Sequence, residues 1–190
     1  QNSRYFLQIQ NGCDHRCTFC VIPYGRGNSR SVNLNKILDN VNEALQNNYK
    51  EIVLTGVDLT SWGKELSGEE YSLGFLVKKI LNEIKNLPRL RVSSIDPAEI
   101  DHELMEVLEQ DHRFMPHLHL SIQHGDDLIL KRMKRRHLYR DVINLVNEAR
   151  RRRPKITFGA DIISGFPTET SKAHRNTLKL IKEANINFVH

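Results

Sequence analysis

Hydrophobic residues follow two patterns along the chain: short apolar runs, and longer stretches in which they recur every three or four positions. The short runs predict β-strands at 5–10, 51–55, 90–95, 117–123, 155–163 and 187–190. The longer stretches predict helices at 33–48, 73–87, 101–110, 126–134, 139–152 and 171–184. Asn33 can cap the first helix, and Pro88 ends the second.

This alternation of strands and helices is typical of a parallel sheet with right-handed crossovers. A complete eight-fold barrel takes about 250 residues, more than the 190 present here. An open doubly wound sheet is the alternative, although the chain has neither a P-loop nor a G-x-G-x-x-G motif. Two segments are predicted as loops: 11–32, and a polar stretch at 57–72 that contains Trp62 and Gly68.

The composition, with 39% hydrophobic and 27% charged residues, indicates one soluble globular domain. No apolar run approaches the ~20 residues of a membrane span, so we expect no membrane association. The absence of paired cysteines suits a reducing cytoplasm. The chain lacks an initiator methionine and begins and stops close to predicted strands. We therefore expect both ends to be cuts through a longer protein.

Positive charge is concentrated in one segment. The net charge is +5, yet residues 131–153 alone carry +8. Such a cluster favours a phosphate backbone as partner, whereas the alternative is a solvated helix surface. Arg150 to Arg153 occupy successive positions and fan around a helix end. The better candidates for nucleic-acid binding follow the fourth strand: Lys131, Arg132, Lys134, Arg135 and Arg136.

The three cysteines of the chain, Cys13, Cys17 and Cys20, lie within eight residues at spacing C-x3-C-x2-C. Thiolates this close can converge on one metal centre, and soft sulfur selects zinc or an iron–sulfur cluster. Three thiolates on a four-iron cluster would leave one iron open. His15 could instead complete a Cys3His zinc site. An odd number of cysteines argues against a disulfide.

Residues 9–20, followed by Val-Ile-Pro-Tyr-Gly-Arg-Gly at 21–27, resemble the radical S-adenosylmethionine (SAM) enzymes and, more narrowly, the methylthiotransferases. The resemblance implies a partial (β/α)6 TIM-like barrel. It also implies a 4Fe–4S cluster on Cys13, Cys17 and Cys20, whose open iron binds SAM for reductive cleavage. An electron donor such as flavodoxin or ferredoxin would supply the electron. No catalytic residue beyond the cysteines is expected.

The resemblance extends over nearly the whole chain, through residues 54–57, 119–123, 159–161 and 165–170. Residues 50–54 and 91–97 most resemble the branch that acts on N6-threonylcarbamoyladenosine beside the tRNA anticodon. Thr55-Gly56-Val57 replaces the Gly-Gly-Glu of many radical SAM enzymes. The isopentenyladenosine-tRNA branch, the ribosomal-protein branch and a zinc-stabilised RNA-binding module without redox chemistry remain alternatives.

In parallel α/β folds, ligands collect at the carboxyl ends of the strands. Small or polar residues at these ends are our candidates for SAM contacts: Phe19, Gly56, Ser94, Gln123 and Asp161. They could instead merely cap turns.

The methylthiotransferase resemblance further implies an amino-terminal domain with an auxiliary cluster on three more cysteines, and a carboxyl-terminal RNA-binding domain. Residues 1–190 would then be the radical SAM core alone, without either domain. We therefore expect SAM cleavage without methylthiolation from this chain by itself.

Overall fold

The computed structural model describes residues 3–66 and 71–190. The strands are β1 (Arg4–Gln8), β2 (Gln10–Asn11), β3 (Arg30–Ser31), β4 (Glu51–Thr55), β5 (Leu90–Val92), β6 (Ser94–Ile95), β7 (His117–Gln123), β8 (Thr157–Ile162) and β9 (Phe188–Val189). The helices are α1 (Ile22–Gly25), α2 (Leu34–Gln46), α3 (Leu73–Glu83), α4 (His102–Gln110), α5 (Asp127–Arg132), α6 (Tyr139–Arg152) and α7 (Ser171–Glu183), with a 3-10 turn at Leu59–Ser61. No helix in these ranges is long and apolar enough to cross a bilayer.

The principal strands are parallel and lie side by side in chain order. One sheet has the order β1-β4-β5 and the other β6-β7-β8-β9. The predicted strand 90–95 is interrupted at Ser93, whose N–H donates to the Leu54 carbonyl at 2.9 Å. Its first half pairs with β4 and its second half with β7. This order, without the reversal of a doubly wound sheet, confirms the partial barrel.

Strand β7 shows how the core is divided. Leu118, Leu120 and Ile122 are buried in the main hydrophobic core, which also takes in the apolar faces of α3, α4 and α6. The alternate residues His119 and Gln123 are half-buried and line cavities on the other side of the sheet. Alternate side chains of the strand therefore pack in the core, while those between them face the cavities.

Residues 57–66, the first part of the predicted polar loop 57–72, are largely buried. Leu59 and Trp62 are buried, and Trp62 Nε1 donates a hydrogen bond to the Val32 carbonyl at 3.0 Å. This contact satisfies the indole nitrogen, so the ring can join the core. Gly68 lies outside the described residues.

Helix α3 ends at Glu83, four residues before the predicted end at 87. The Arg113 guanidinium accounts for the early end, because it donates to the carbonyls of Leu81, at 2.8 Å, and Ile84, at 3.3 Å. These are carbonyls that a continuing helix would have bonded internally.

Candidate metal and cofactor site

The cysteine loop closes on itself between two short strands. The predicted strand 5–10 ends at Gln8, and β2 turns to pair antiparallel with β3, so that Gln10 lies opposite Ser31. The Cys13 N–H donates to the Gly27 carbonyl at 3.1 Å. Gly12 has φ +74, and a Cβ there would lie 2.0 Å from the Asn28 carbonyl oxygen. Only glycine fits this position.

Gln10 is fully buried and joins this loop to the segment after β4. Its Nε2 donates to the Gly12 carbonyl at 2.8 Å, while its Oε1 accepts from the N–H groups of Val57 at 3.0 Å and Asp58 at 2.9 Å. Sequence reasoning placed Gln10 only in a strand. A buried amide with all these partners fixes the position of the loop.

Cys13, Cys17 and Cys20 are half-buried free thiols that line one cavity of about 140 Å³. Burial, together with the nearby Asp58 carboxylate at 3.7 Å from Sγ, raises the pKa of Cys13 to about 11. A metal that binds this sulfur must therefore displace its proton. The His15 N–H, 3.4 Å from Cys13 Sγ, provides one compensating hydrogen bond.

This donor set fits the expected cluster. Three soft sulfur ligands from one loop face a single cavity, and such ligands select iron–sulfur clusters or zinc over hard cations. Phe19, Ser94 and Gln123 line the same cavity as the sulfurs.

His15 lines the same cavity, with its Nε2 facing two carboxylates. Its Nε2 lies 3.1 Å from Asp58 Oδ2 and 3.6 Å from Glu99 Oε2. Hydrogen bonds to these carboxylates raise the pKa of His15 to about 9, so a metal that bound this ring would have to displace its proton. Ligand atoms of Cys13, His15 and Asp58 also lie within 4.8 Å of one another. An experiment must therefore distinguish a zinc site from an iron–sulfur cluster.

Glu99 organises a charged network that the sequence did not reveal. It accepts hydrogen bonds from Lys64, at 2.7 Å, from Thr60, at 3.1 Å, and from Arg136. Burial alone would raise the pKa of Glu99, but the hydrogen bonds from His15, Arg136 and Lys64 hold it far below its usual range. Glu99 therefore stays ionised beside the cysteine loop.

The structure brings three of the five SAM candidates together. Phe19, Ser94 and Gln123 line the cysteine cavity, whereas Gly56 and Asp161 do not. A Cβ on Gly56 would lie 2.9 Å from Gln10 Oε1, so Gly56 serves the packing of the Gln10 amide. Asp161 lies deeper in the barrel, where its Oδ2 is 3.5 Å from the Ser94 hydroxyl.

Gln123 has φ +70 at the end of β7. Such a conformation is strained for a residue other than glycine and often marks a functional site.

The basic residues after β7 divide into two groups. Lys131, Arg132 and Lys134 are exposed. The Arg135 side chain is 7% exposed and reaches inward to the Ser121 carbonyl, at 2.7 Å. Arg136 is bound to Asp96, at 3.1 Å, and to Glu99. The charge of Arg135 is thus directed into the cavity wall, and its contact with a nucleic acid stays a prediction that the structure does not test.

The arginines at the end of α6 have partners within the protein. Arg150 donates to the Asn185 carbonyl and lies over the Phe158 ring, 5.2 Å from its centroid. Arg152 bridges Glu148 and Glu109, at 2.8 and 3.2 Å. These contacts bind the helix end to its neighbours.

The chain resembles known enzymes in sequence. Threonylcarbamoyladenosine tRNA methylthiotransferase MtaB of Rickettsia prowazekii is 50% identical over 188 residues, which cover 99% of this chain and 44% of the relative. MtaB of Aquifex aeolicus is 38% identical, covering 98% and 45%. A tRNA-2-methylthio-N(6)-dimethylallyladenosine synthase of Ehrlichia chaffeensis is 37% identical, covering 95% and 40%. The chain thus spans less than half the length of these relatives.

Solved structures share the fold. The radical S-adenosylmethionine methyltransferase TsrM of Kitasatospora setae superimposes with a TM-score of 0.78 at 18% identity, covering 98% of this chain and 35% of that one. Coproporphyrinogen III oxidase (HemN) of Escherichia coli gives 0.62 at 18% identity, covering 97% and 42%. The sequence model of the Radical SAM superfamily matches residues 7–181. Sequence, fold and cysteine loop agree, and the chain belongs to the radical SAM superfamily.

Proposed function

We propose that the chain is the radical SAM core of an enzyme that adds a methylthio group to N6-threonylcarbamoyladenosine beside the tRNA anticodon. The observation that carries this proposal is the 50% identity, over 99% of the chain, to an MtaB enzyme. The identity to the dimethylallyladenosine synthase of Ehrlichia chaffeensis is lower, at 37%. Cytoplasmic tRNA is the corresponding substrate, and a flavodoxin or ferredoxin is the corresponding electron donor.

In this proposal Cys13, Cys17 and Cys20 hold a 4Fe–4S cluster. When bound, the cluster would supply the electron that cleaves SAM. The protein would bind and orient the cluster and SAM. Gln10 holds the loop in place through hydrogen bonds of its side-chain amide to Gly12, Ser29, Val57 and Asp58.

The cavity wall offers SAM groups of complementary chemistry. Ser94 and Gln123 can exchange hydrogen bonds with its polar groups, and Phe19, 37% exposed, presents an apolar ring. The Arg135 guanidinium, with Nη1 3.9 Å from Cys17 Sγ, places positive charge beside the sulfur ligands. Positive charge stabilises thiolates.

The cluster is tested by anaerobic reconstitution with iron and sulfide. We expect brown protein with about four irons per chain, bleached by reductant, and loss of this iron in Cys17→Ala. His15→Ala is the matched control within the same loop and should keep its iron. If His15→Ala loses the metal, or if the wild type holds a colourless, redox-silent ion, the zinc alternative is correct.

The substrate is tested in the longer enzyme that contains this chain. With SAM and a strong reductant, tRNA that carries threonylcarbamoyladenosine should gain a methylthio group by mass spectrometry, and tRNA that carries dimethylallyladenosine should not. The reverse preference would place the chain in the other branch. The 190-residue chain alone should release 5′-deoxyadenosine and form no methylthio product.

A further inference from the structure

We propose that His119, Asp161 and His190 form a second metal site, inside the barrel and apart from the cysteine cavity, for one divalent first-row transition-metal ion. The three residues come from neighbouring positions of the barrel wall. Asp161 lies on β8, His119 lies on β7, and His190 directly follows β9.

Strand register brings these side chains together. Ala160 pairs with Val189, so the next residues, Asp161 and His190, lie at the same level. His119 pairs with Gly159, two residues before Asp161 and on the same face of the sheet. The parallel strands therefore direct one carboxylate and two imidazoles toward the same space.

The distances fit a common ion. His119 Nε2 is 3.1 Å and His190 Nδ1 is 3.9 Å from Asp161 Oδ1, and the three ligand atoms lie within 4.8 Å of one another. Ligands at about 2.0–2.2 Å from a zinc ion are themselves roughly 3–3.5 Å apart. Small rotations of the His190 ring, which is 70% exposed on the side chain, suffice to close the site.

Two neighbours arrange these ligands. A Cβ on Gly159 would lie 2.3 Å from His119 Nδ1, so the glycine makes room for the imidazole ring that projects toward Asp161. The Ser94 hydroxyl lies 3.5 Å from Asp161 Oδ2, on the carboxylate oxygen that the two histidines leave free.

The donor chemistry defines the class of ion. Two imidazole nitrogens and one carboxylate oxygen suit zinc, iron, cobalt or nickel and disfavour magnesium and calcium, which prefer oxygen ligands. His119 and His190 border a cavity of about 530 Å³, so further coordination positions are accessible to water or a small ligand. Three protein ligands with an open position are the usual arrangement of catalytic metal sites.

Positive charges in the same cavity oppose cation binding, and the protein partly neutralises them. Arg91 and Arg4 line the cavity, but Glu51 Oε1 binds both, at 3.0 and 2.8 Å. Lys155 remains as a further cation at the cavity.

A cobalt(II) titration of the 190-residue chain, with its 4Fe–4S cluster loaded under anaerobic conditions, tests the proposal. The cluster occupies the cysteines, so the heat of cobalt binding in isothermal titration calorimetry should report one ion at a site elsewhere in the chain. His119→Ala, Asp161→Asn and His190→Ala should each weaken cobalt binding about tenfold or more. His117→Ala is the matched control, because it removes the neighbouring histidine of β7 and should bind cobalt as the wild type does.

Two further measurements keep the test decisive. His190→Ala changes a ring whose side chain is 70% exposed, so it separates loss of the ligand from misfolding. Zinc added to ¹⁵N-labelled protein should shift the Nε2 resonance of His119 and the Nδ1 resonance of His190. Unchanged resonances, or equal cobalt affinity in wild type and all three ligand variants, would overturn the metal site and leave a hydrogen-bonded His–Asp pair. Neither result bears on the substrate of the longer enzyme.

Discussion

Arg135 forms a buried ion pair with Asp96: its Nη2 lies 3.0 Å from Asp96 Oδ2, and both side chains are 7% exposed. The same guanidinium donates to the Ser121 carbonyl and lies 3.9 Å from Cys17 Sγ. It thus joins the ends of β6 and β7 to the cysteine loop. Thr18 makes a second contact between the cysteine loop and the segment after β7, because its hydroxyl donates to the Arg132 carbonyl at 3.0 Å.

We expect Arg135→Ala to destabilise the protein by about 3–5 kcal/mol, because it leaves the Asp96 carboxylate buried without one of its cations. Urea unfolding of the cluster-free chain measures the change. Arg132→Ala is the control, since the exposed Arg132 side chain makes a surface contact with Thr168, and its effect should stay within about 0.5 kcal/mol. Equal effects of the two substitutions would show that the buried pair does not stabilise the fold.

The strands and helices could be predicted because their sequence signals are local and periodic, whereas the barrel was implied by the family resemblance. Helix α2 begins where Asn33 caps it, with the side chain accepting from the Asn35 N–H, and α6 spans the predicted 139–152. Three cysteines within eight residues also needed no tertiary information.

Tertiary placement could not be predicted in the same way. The basic run 131–136 is typical of one charged surface, yet Met133 is fully buried and Arg135 is directed inward. Strand ends are all polar, and nothing in the sequence separates Ser94, which lines the cysteine cavity, from Asp161, which lies beyond it. Whether a polar side chain reaches the cysteine cavity depends on its position in the tertiary structure.

The charge asymmetry outside the cavity gives a prediction about RNA. Lys131 and Lys134 are exposed at the cysteine end of the barrel, and under the proposed function an anticodon loop would approach this end. Lys131→Gln/Lys134→Gln should weaken tRNA binding and reduce the slope of log K against log salt by about one for each phosphate that the protein no longer neutralises. Filter binding over a range of salt concentrations measures both quantities.

The control for that experiment removes the same charge elsewhere. Arg151→Gln/Lys155→Gln changes two exposed cations near the opposite end of β8. Its salt slope should match that of the wild type. Equal slopes for the two double variants would mean that tRNA does not contact the segment after β7.

Glu51 gives a prediction about acid stability. Its carboxylate is 5% exposed and binds Arg4, Arg89 and Arg91 at 2.8–3.0 Å. Burial alone would raise the pKa of Glu51, but hydrogen bonds from Arg91 and Arg89, with the nearby charge of Arg4, hold it below its usual value of 4.5. A group with a lowered folded pKa stabilises the protein above its unfolded pKa and loses this contribution as the pH falls.

Glu51→Gln should therefore lower the free energy of unfolding at pH 7 by about 1.5–3 kcal/mol, and the gap to the wild type should narrow below pH 4.5. Urea unfolding at several pH values measures this gap. Glu83→Gln, which removes a carboxylate that is 52% exposed in an i,i+4 pair with Lys79, should give a smaller change. A gap for Glu51→Gln that widens in acid would contradict the assigned direction of the pKa.

The conformation of the cysteine loop depends on Gly12. A substitution at Gly12 therefore tests this conformation directly. Gly12→Ala places a Cβ 2.0 Å from the Asn28 carbonyl oxygen at a φ of +74. The left-handed backbone alone costs about 1–2 kcal/mol for a residue with a Cβ, and the clash adds to it. We expect the free energy of unfolding in urea to fall by more than about 2 kcal/mol. We also expect less iron to be bound after reconstitution, because Cys13 is the next residue.

Gly25→Ala is the matched control in the same loop, since a Cβ there has no atom within 4 Å. Full iron content and wild-type stability in Gly12→Ala would show that the loop holds its cysteines in another way.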